Sequence, residues 1–160
     1  MKRYIIFVVL GTALLAACGG LTGGSFTAMH ASAIRDSVQT TLDTFRRYSA
    51  AGQWDSLADL YANDADFRFL DQGMVQYRSP GEIRNALRRV APGTKIETTY
   101  RDTKIVPLAP GVAAVATAFH TKFVEHGRAS REFGGVLDLV LVHREGGWKI
   151  LIGHSSTSPQ

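Results

Sequence analysis

The chain reads as an α+β domain in which three N-terminal helices pack against a strongly curved antiparallel sheet, and three observations predict it. Apolar residues recur at three- and four-residue steps between Ile34 and Val90. After Gly93 the character changes to long runs rich in β-branched and aromatic residues. Each gap between those runs is short and bears glycine, and short connections force antiparallel neighbours. Helices first and a meander of strands afterwards is an α+β order, and the sheet must curl around the first helix to bury its stripe.

Ile34, Val38, Leu42 and Phe45 form the stripe of that first helix, with Arg35, Asp36, Gln39, Asp43 and Arg46 opposite, and Gly52 marks its end. A shorter helix follows, with Asp55 as its cap and Trp54, Leu57, Leu60 and Tyr61 on its apolar side. Residues 66–70 and 74–77 alternate around Asp71-Gln72-Gly73, which predicts a small hairpin. Ser79-Pro80-Gly81-Glu82 combines a capping box with proline at the first helical position, opening a third helix through Ile83, Leu87 and Val90 that Pro92-Gly93 ends. Four strands, 95–106, 112–125, 131–144 and 148–156, complete the domain. Pro110-Gly111, His126-Gly127 and Gly146-Gly147 occupy the gaps between them.

The N-terminal residues do not belong to that domain. Lys2 and Arg3 precede an apolar run, Tyr4 to Leu15, and Leu15-Ala16-Ala17 stands before Cys18, the single cysteine. Charged, apolar and small-residue segments in that order are a signal peptide, here of the bacterial lipoprotein type. The apolar run is shorter than the roughly 20 residues a spanning helix needs. On this reading residues 1–17 are removed, Cys18 carries lipid and residues 18–30 are a glycine-rich tether spanning roughly 20 Å. Residues 31–160 are the folded domain. An ordinary secretory signal with an incidental cysteine, or a short membrane anchor, is the competing reading. The lipoprotein reading places the protein in the bacterial cell envelope, lipid-anchored to the membrane. With Gly19 after the cysteine, that is the periplasmic side of the outer membrane if the host has two membranes.

Composition removes several function classes. Without Lys2 and Arg3 the chain keeps 16 basic residues against 14 acidic. That balance is too weak for nucleic acid, and no aromatic residues interleave with the Arg46-Arg47 or Arg88-Arg89 pairs. One cysteine allows no disulfide framework and no cysteine metal site. No histidine pair has metal-ligand spacing, no phosphate loop occurs, and Ser155-Ser156 lack the context of a nucleophile, so neither metal nor cofactor is expected.

Asp138 is the unusual residue of the domain. Val136-Leu137-Asp138-Leu139-Val140-Leu141-Val142 is apolar at both parities, as a strand covered on both sides would be. A carboxylate there is costly unless paired or neutralised, so Asp138 is a candidate catalytic residue, the alternative being a structural carboxylate held in the core. His120 follows the small-residue face of Ala114, Ala116 and Ala118, while His154 continues that of Trp148, Ile150 and Ile152. Either could exchange protons near neutral pH, or sit as a satisfied core or rim histidine. His126 and His143 fall at a turn and a strand end.

Ala51-Gly52-Gln53-Trp54-Asp55-Ser56-Leu57, Leu60-Tyr61-Ala62-Asn63-Asp64-Ala65, the Ser-Pro-Gly-Glu helix start and Gly-Gly-Trp-Lys-Ile before His154-Ser155-Ser156 carry a resemblance. They resemble the SnoaL-like bacterial branch of the nuclear transport factor 2-like superfamily, over nearly the whole domain. The resemblance implies a cystatin-like cone around an apolar pocket, with Tyr61, Phe69, Tyr77 and Phe133 in its wall. It says little about function, because this fold hosts isomerases, cyclases, dehydratases and non-catalytic binders. Ketosteroid isomerases, which look like this chain, use an aspartate base, a helix tyrosine and a protonated aspartate in a late strand. The corresponding positions here are Phe69, Phe45 and Asp138, so one of three matches. A register shifted by two offers Asp71 as the base, within the expected turn, where aspartate is common for turn reasons alone.

The leading expectation is an envelope lipoprotein whose cone binds a small apolar or amphipathic molecule without catalysis. One alternative is a proton-transfer enzyme of isomerase, cyclase or dehydratase type, using Asp138 with His120 or His154. The other is an interaction module. A homodimer is expected in any case, because late strands apolar on both faces have more area than one helix layer can cover. Cys18→Ser tests the anchor: the variant precursor should stay unlipidated and leave the detergent phase. Equal partitioning and equal mature mass for both forms would refute the anchor.

Overall fold

A computed structural model describes residues 27–125 and 130–157. The signal-like segment, Cys18, the tether up to residue 26 and His126 lie outside the described residues. Helix α1 spans Ala28–Ala51 and starts three residues earlier than the sequence reading places the domain. Thr27 is the reason, since its side chain accepts from the His30 N–H and caps the helix. At the other end Gly52 takes the left-handed conformation at φ 66°, its N–H bonds the Ser49 carbonyl and the Gln53 N–H bonds that of Tyr48.

Helix α2, Trp54–Ala58, lacks the expected Asp55 cap. Gln53 occupies the cap position without a side-chain bond, and Asp55 sits in the first turn, paired with Arg84 at 3.7 Å and Arg88 at 3.0 Å. Strands β1, Arg68–Asp71, and β2, Met74–Tyr77, form the predicted hairpin, turned by Gln72 and Gly73 at φ 51° and 78°. Helix α3, Pro80–Leu87, starts as the sequence reads: the Ser79 side chain accepts from the Glu82 N–H, and the Glu82 carboxylate accepts from the Arg78 N–H at 2.7 Å. It docks on α2 through Arg84–Asp59 at 2.5 Å beside the two Asp55 pairs, and its buried residue is Ile83.

Four long strands follow, β3 Lys95–Ala109, β4 Val112–Val124, β5 Arg131–Arg144 and β6 Gly147–Thr157. The six strands form one sheet in the order β2-β1-β6-β5-β4-β3. Its pairings are antiparallel with one exception, a correction to the expected all-antiparallel sheet: β1 pairs parallel with β6, Phe69 beside Gly153 and Asp71 beside Ser155. The intervening helix and strands give the chain length that a parallel neighbour requires.

Register separates the faces. Ala113, Val115, Thr117, Phe119 and Thr121 of β4 are buried, and their neighbours on β5 include buried Leu139 and Leu141. Val38 and Leu42 of α1 seat against these residues together with Trp148 and Ile150. Across β3 and β4 the hydroxyls of Thr98 and Thr121 meet at 2.9 Å and those of Thr103 and Thr117 at 2.8 Å. Beside the second pair a bulge at Asp102, φ 55°, lets β3 follow the curl of the sheet.

Leu42 is 1% exposed and occupies the centre of the helix–sheet contact. Leu42→Ala should lower unfolding free energy by about 2–5 kcal/mol, whereas Met74→Ala, 70% exposed on the β1–β2 hairpin, should stay within roughly 0.5 kcal/mol of the parent. Urea midpoints measure both, and equal losses would mean that stability does not follow burial against α1.

Candidate functional site

Helix α1 packs on the concave face through Val38 and Leu42, and aromatic rings line that face beside it. The Phe69 ring rests 2.5 Å from where a Cβ on Gly153 would lie, and Leu139 approaches the same point at 3.3 Å. Phe69 therefore points to the same side as the buried core, and a side chain at position 153 would displace it. From there rings run in sequence. Tyr61 stands edge-on to Phe45 at 6.1 Å, to Phe67 at 5.8 Å and to Phe69 at 6.3 Å, and Phe69 reaches Tyr77 at 6.4 Å. Phe133 meets Phe119 at 6.1 Å and stacks on Phe123 at 5.7 Å, on the concave side of β4 and β5. Phe45, Tyr61, Phe69, Tyr77, Tyr100 and Phe133 point inward yet stay partly exposed. The rings thus line an inward face that is incompletely covered.

Three hydroxyls enter this apolar surface. Burial pushes the Tyr61 phenol well above its ordinary range, and the nearby Tyr100 and Tyr77 phenols push it further. Tyr100 is pushed up to about 12, chiefly by burial; Arg46, whose guanidinium lies 6.0 Å from the ring centre, pulls the other way. Phenols raised in this way keep their protons and act as donors. Among the described residues none of the three hydroxyls makes a hydrogen bond. Tyr100 is absent from the sequence reading, although a signal was available: Ile96, Thr98 and Tyr100 alternate inward on β3, and Tyr100 faces Phe119.

The rim adds polar pairs. Ser155 donates to Asp71 at 2.6 Å, and Gln72 donates to the Thr157 hydroxyl at 2.6 Å. Asp71 closes β1 rather than belonging to the turn, because the two positive-φ residues begin only after it. Two residues from Phe69 along the strand, it shares the concave side.

The three proposed catalytic residues stand elsewhere. Asp138 is paired with His154 across β5 and β6 and with Ala116 across β4, on the outer face of the sheet, and its side chain is 60% exposed. This corrects the expectation of a buried carboxylate. Val136 and Val140 flank it because the outer face is apolar, not because a second layer covers it, and Val136 is 52% exposed. His154 Nδ1 lies 3.9 Å from Asp138 Oδ2. His120 is on the same outer face, 3.6 Å from Glu132. None of the three reaches the ring-lined concavity. His143 is exposed at its strand end, edge-on to Trp148. Among the described residues no three His, Cys, Asp or Glu side chains gather so as to hold a metal ion.

Solved structures share this architecture. A conserved protein from Planctomyces limnophilus DSM 3776 aligns over 81% of this chain and 99% of its own at 21% identity and TM-score 0.70. A nuclear transport factor 2-like protein of unknown function from Shewanella oneidensis MR-1 aligns over 77% and 98% at 17% identity and TM-score 0.62. The β subunit of benzoate 1,2-dioxygenase from Burkholderia mallei aligns over 76% and 88% at 16% identity and TM-score 0.64. At these identities the likeness is one of fold. A comparison with curated protein sequences gives no match. The model of the SnoaL-like domain matches residues 38–159, from the middle of α1 through the whole sheet, and the chain is therefore a member of the SnoaL-like family.

Proposed function

We propose that the protein is an envelope lipoprotein whose concave face holds one small, largely apolar molecule bearing a hydrogen-bond-accepting oxygen. The observation that carries this reading is the meeting of the Tyr61, Tyr77 and Tyr100 phenols, without hydrogen-bond partners among the described residues, on a face otherwise lined by rings. These hydroxyls still reach solvent, so a carbonyl or ether oxygen on a ligand can replace water as their acceptor while the rings around them cover its apolar part. The rings favour a flat or cyclic partner through edge-to-face packing. Placement of Asp138, His120 and His154 on the outer face supports binding rather than turnover by those residues. Lipid on Cys18 would fix the domain to the membrane. The exposed outer-face residues Val106, Val136 and Ile152 favour a second copy of the chain there.

A proton-transfer enzyme is the second reading, and one observation favours it. Asp71 is a carboxylate on the concave side, oriented by the Ser155 hydroxyl at 2.6 Å. It could act as a base beside phenols that donate to a developing oxyanion.

Mass spectrometry of small molecules that copurify with the full chain tests both. Binding predicts an unaltered cyclic ligand carrying an acceptor oxygen, held roughly five- to tenfold more weakly by Tyr61→Phe and by Tyr100→Phe, the worth of one neutral hydrogen bond. A ligand without such an oxygen, or affinity indifferent to both changes, would remove the phenols from the argument. Conversion of the added compound by the parent and not by Asp71→Asn would establish the enzyme instead.

The same phenols couple stability to alkali. Tyr100 has an ordinary value of 10.0 when unfolded and about 12 when folded, so its contribution is complete below pH 10 and is lost as pH rises from 10 through 12. Urea midpoints should fall across that window, and fall less in Tyr100→Phe.

A further inference from the structure

Helix α1 carries a second stripe that core packing does not explain. Ser37, Thr40, Thr41, Thr44 and Tyr48 recur at three- and four-residue steps between its apolar and charged sides. Serine and threonine are poor helix formers, because they compete for backbone hydrogen bonds or lose rotamer freedom. Placed on one helix flank they conflict with local propensity, and such conflicts concentrate at functional surfaces.

The stripe forms one wall of a groove of about 580 Å³, inside the roughly 300–1,000 Å³ range of small-molecule sites. The opposite wall is the tip of the β5–β6 hairpin, where His143 stands edge-on to Trp148 at 5.5 Å. Gly146 and Gly147 turn that tip at φ 82° and 106°, so its backbone is left uncovered by side chains. Hydrogen-bonding capacity is neutral and abundant. Thr40 and Thr41 donate to the Asp36 and Ser37 carbonyls at 2.9 and 3.2 Å, which leaves their oxygens as acceptors. The Ser37 and Ser56 hydroxyls make no hydrogen bond among the described residues and can donate or accept. The charges present are already engaged: Lys149 donates to the Asp59 carbonyl at 2.7 Å, and the Asp59 carboxylate pairs with Arg84.

Neutral hydroxyls along one wall and, on the other, the exposed His143 ring backed by the largely buried Trp148 match a ligand dense in hydroxyls that also presents an apolar ring face. We infer that this groove is a carbohydrate-binding site, separate from the concave face, that takes a short neutral oligosaccharide.

NMR titration of the full chain in detergent micelles tests this, with chitotriose and maltotriose as probes and sorbitol as the acyclic comparison. A trisaccharide should shift the Trp148 indole and the 37–44 amide signals to saturation, and sorbitol should not. Thr40→Val with Thr44→Val keeps the shape and branching of both residues and should weaken binding roughly tenfold, the worth of one or two neutral hydrogen bonds. Unchanged Val38 and Leu42 methyl signals verify that the variant is folded. Absence of saturable shifts with both trisaccharides overturns the inference. So do equal shifts with sorbitol, affinity indifferent to the two valines, or shifts confined to the Phe69 and Tyr77 signals.

Discussion

One helix against one face of a curled sheet is the constraint on which the rest of this structure depends. Val38 and Leu42 reach the inner residues of β4, β5 and β6, and that contact is the core. The helix covers only part of the concavity it shapes. Beyond Phe45 the inner face continues as aromatic rings that no element fully covers, because the curvature that wraps α1 also holds the remaining strands away from it. The hydrophobic demand of folding and the availability of a binding surface therefore arise from the same bend. The Tyr61 and Tyr100 hydroxyls lie where burial is deep enough to keep them protonated and packing is too open to give them partners.

Much of the fold was legible in the sequence, since period and punctuation agreed with each other. The α1 stripe, the Ser79-Pro80 helix start and the glycine-marked gaps marked the elements in order, and β5 is found at its expected bounds. Pairing of β1 with β6 was not legible, because nothing local in Phe69 or Gly153 records a partner so distant along the chain. Of the candidate site, Tyr61, Phe69 and Tyr77 entered through the family resemblance and not through spacing, and Tyr100 joins their rings through cross-strand register, which composition does not display. Asp138 misled for a physical reason. A strand apolar at both parities has the same pattern whether its second face is covered or exposed. Asp71 misled in the other direction, since a residue that ends a strand and one that starts a turn differ by a single position.

Charge is used differently on the two sides of the molecule. Helix α3 is held to α2 by Arg84 and Arg88 against Asp55 and Asp59, pairs that are largely exposed and individually weak. Their value is geometric, since alternating partners fix the helix register beside the β1–β2 hairpin. Charge is sparser beside the rings of the concave face, where Arg46 lies over Tyr100 and pairs with Asp43, and Asp71 accepts from Ser155. That division keeps most of the screened, adjustable ion pairs at the periphery and leaves the concave face chiefly to shape and to the phenols.

The parallel pairing of β1 with β6 also has a temporal meaning. A ribosome releases β1 long before β6, and β1 with its hairpin partner β2 is too small to be stable alone. Strand β6 follows the other five described strands along the chain and joins this early hairpin to β5, β4 and β3, so the sheet stays in two pieces until β6 is in place. Contacts of such long sequence separation favour slow folding, and the chain stays open over that interval. The order of the strands thus makes late closure a property of the topology itself.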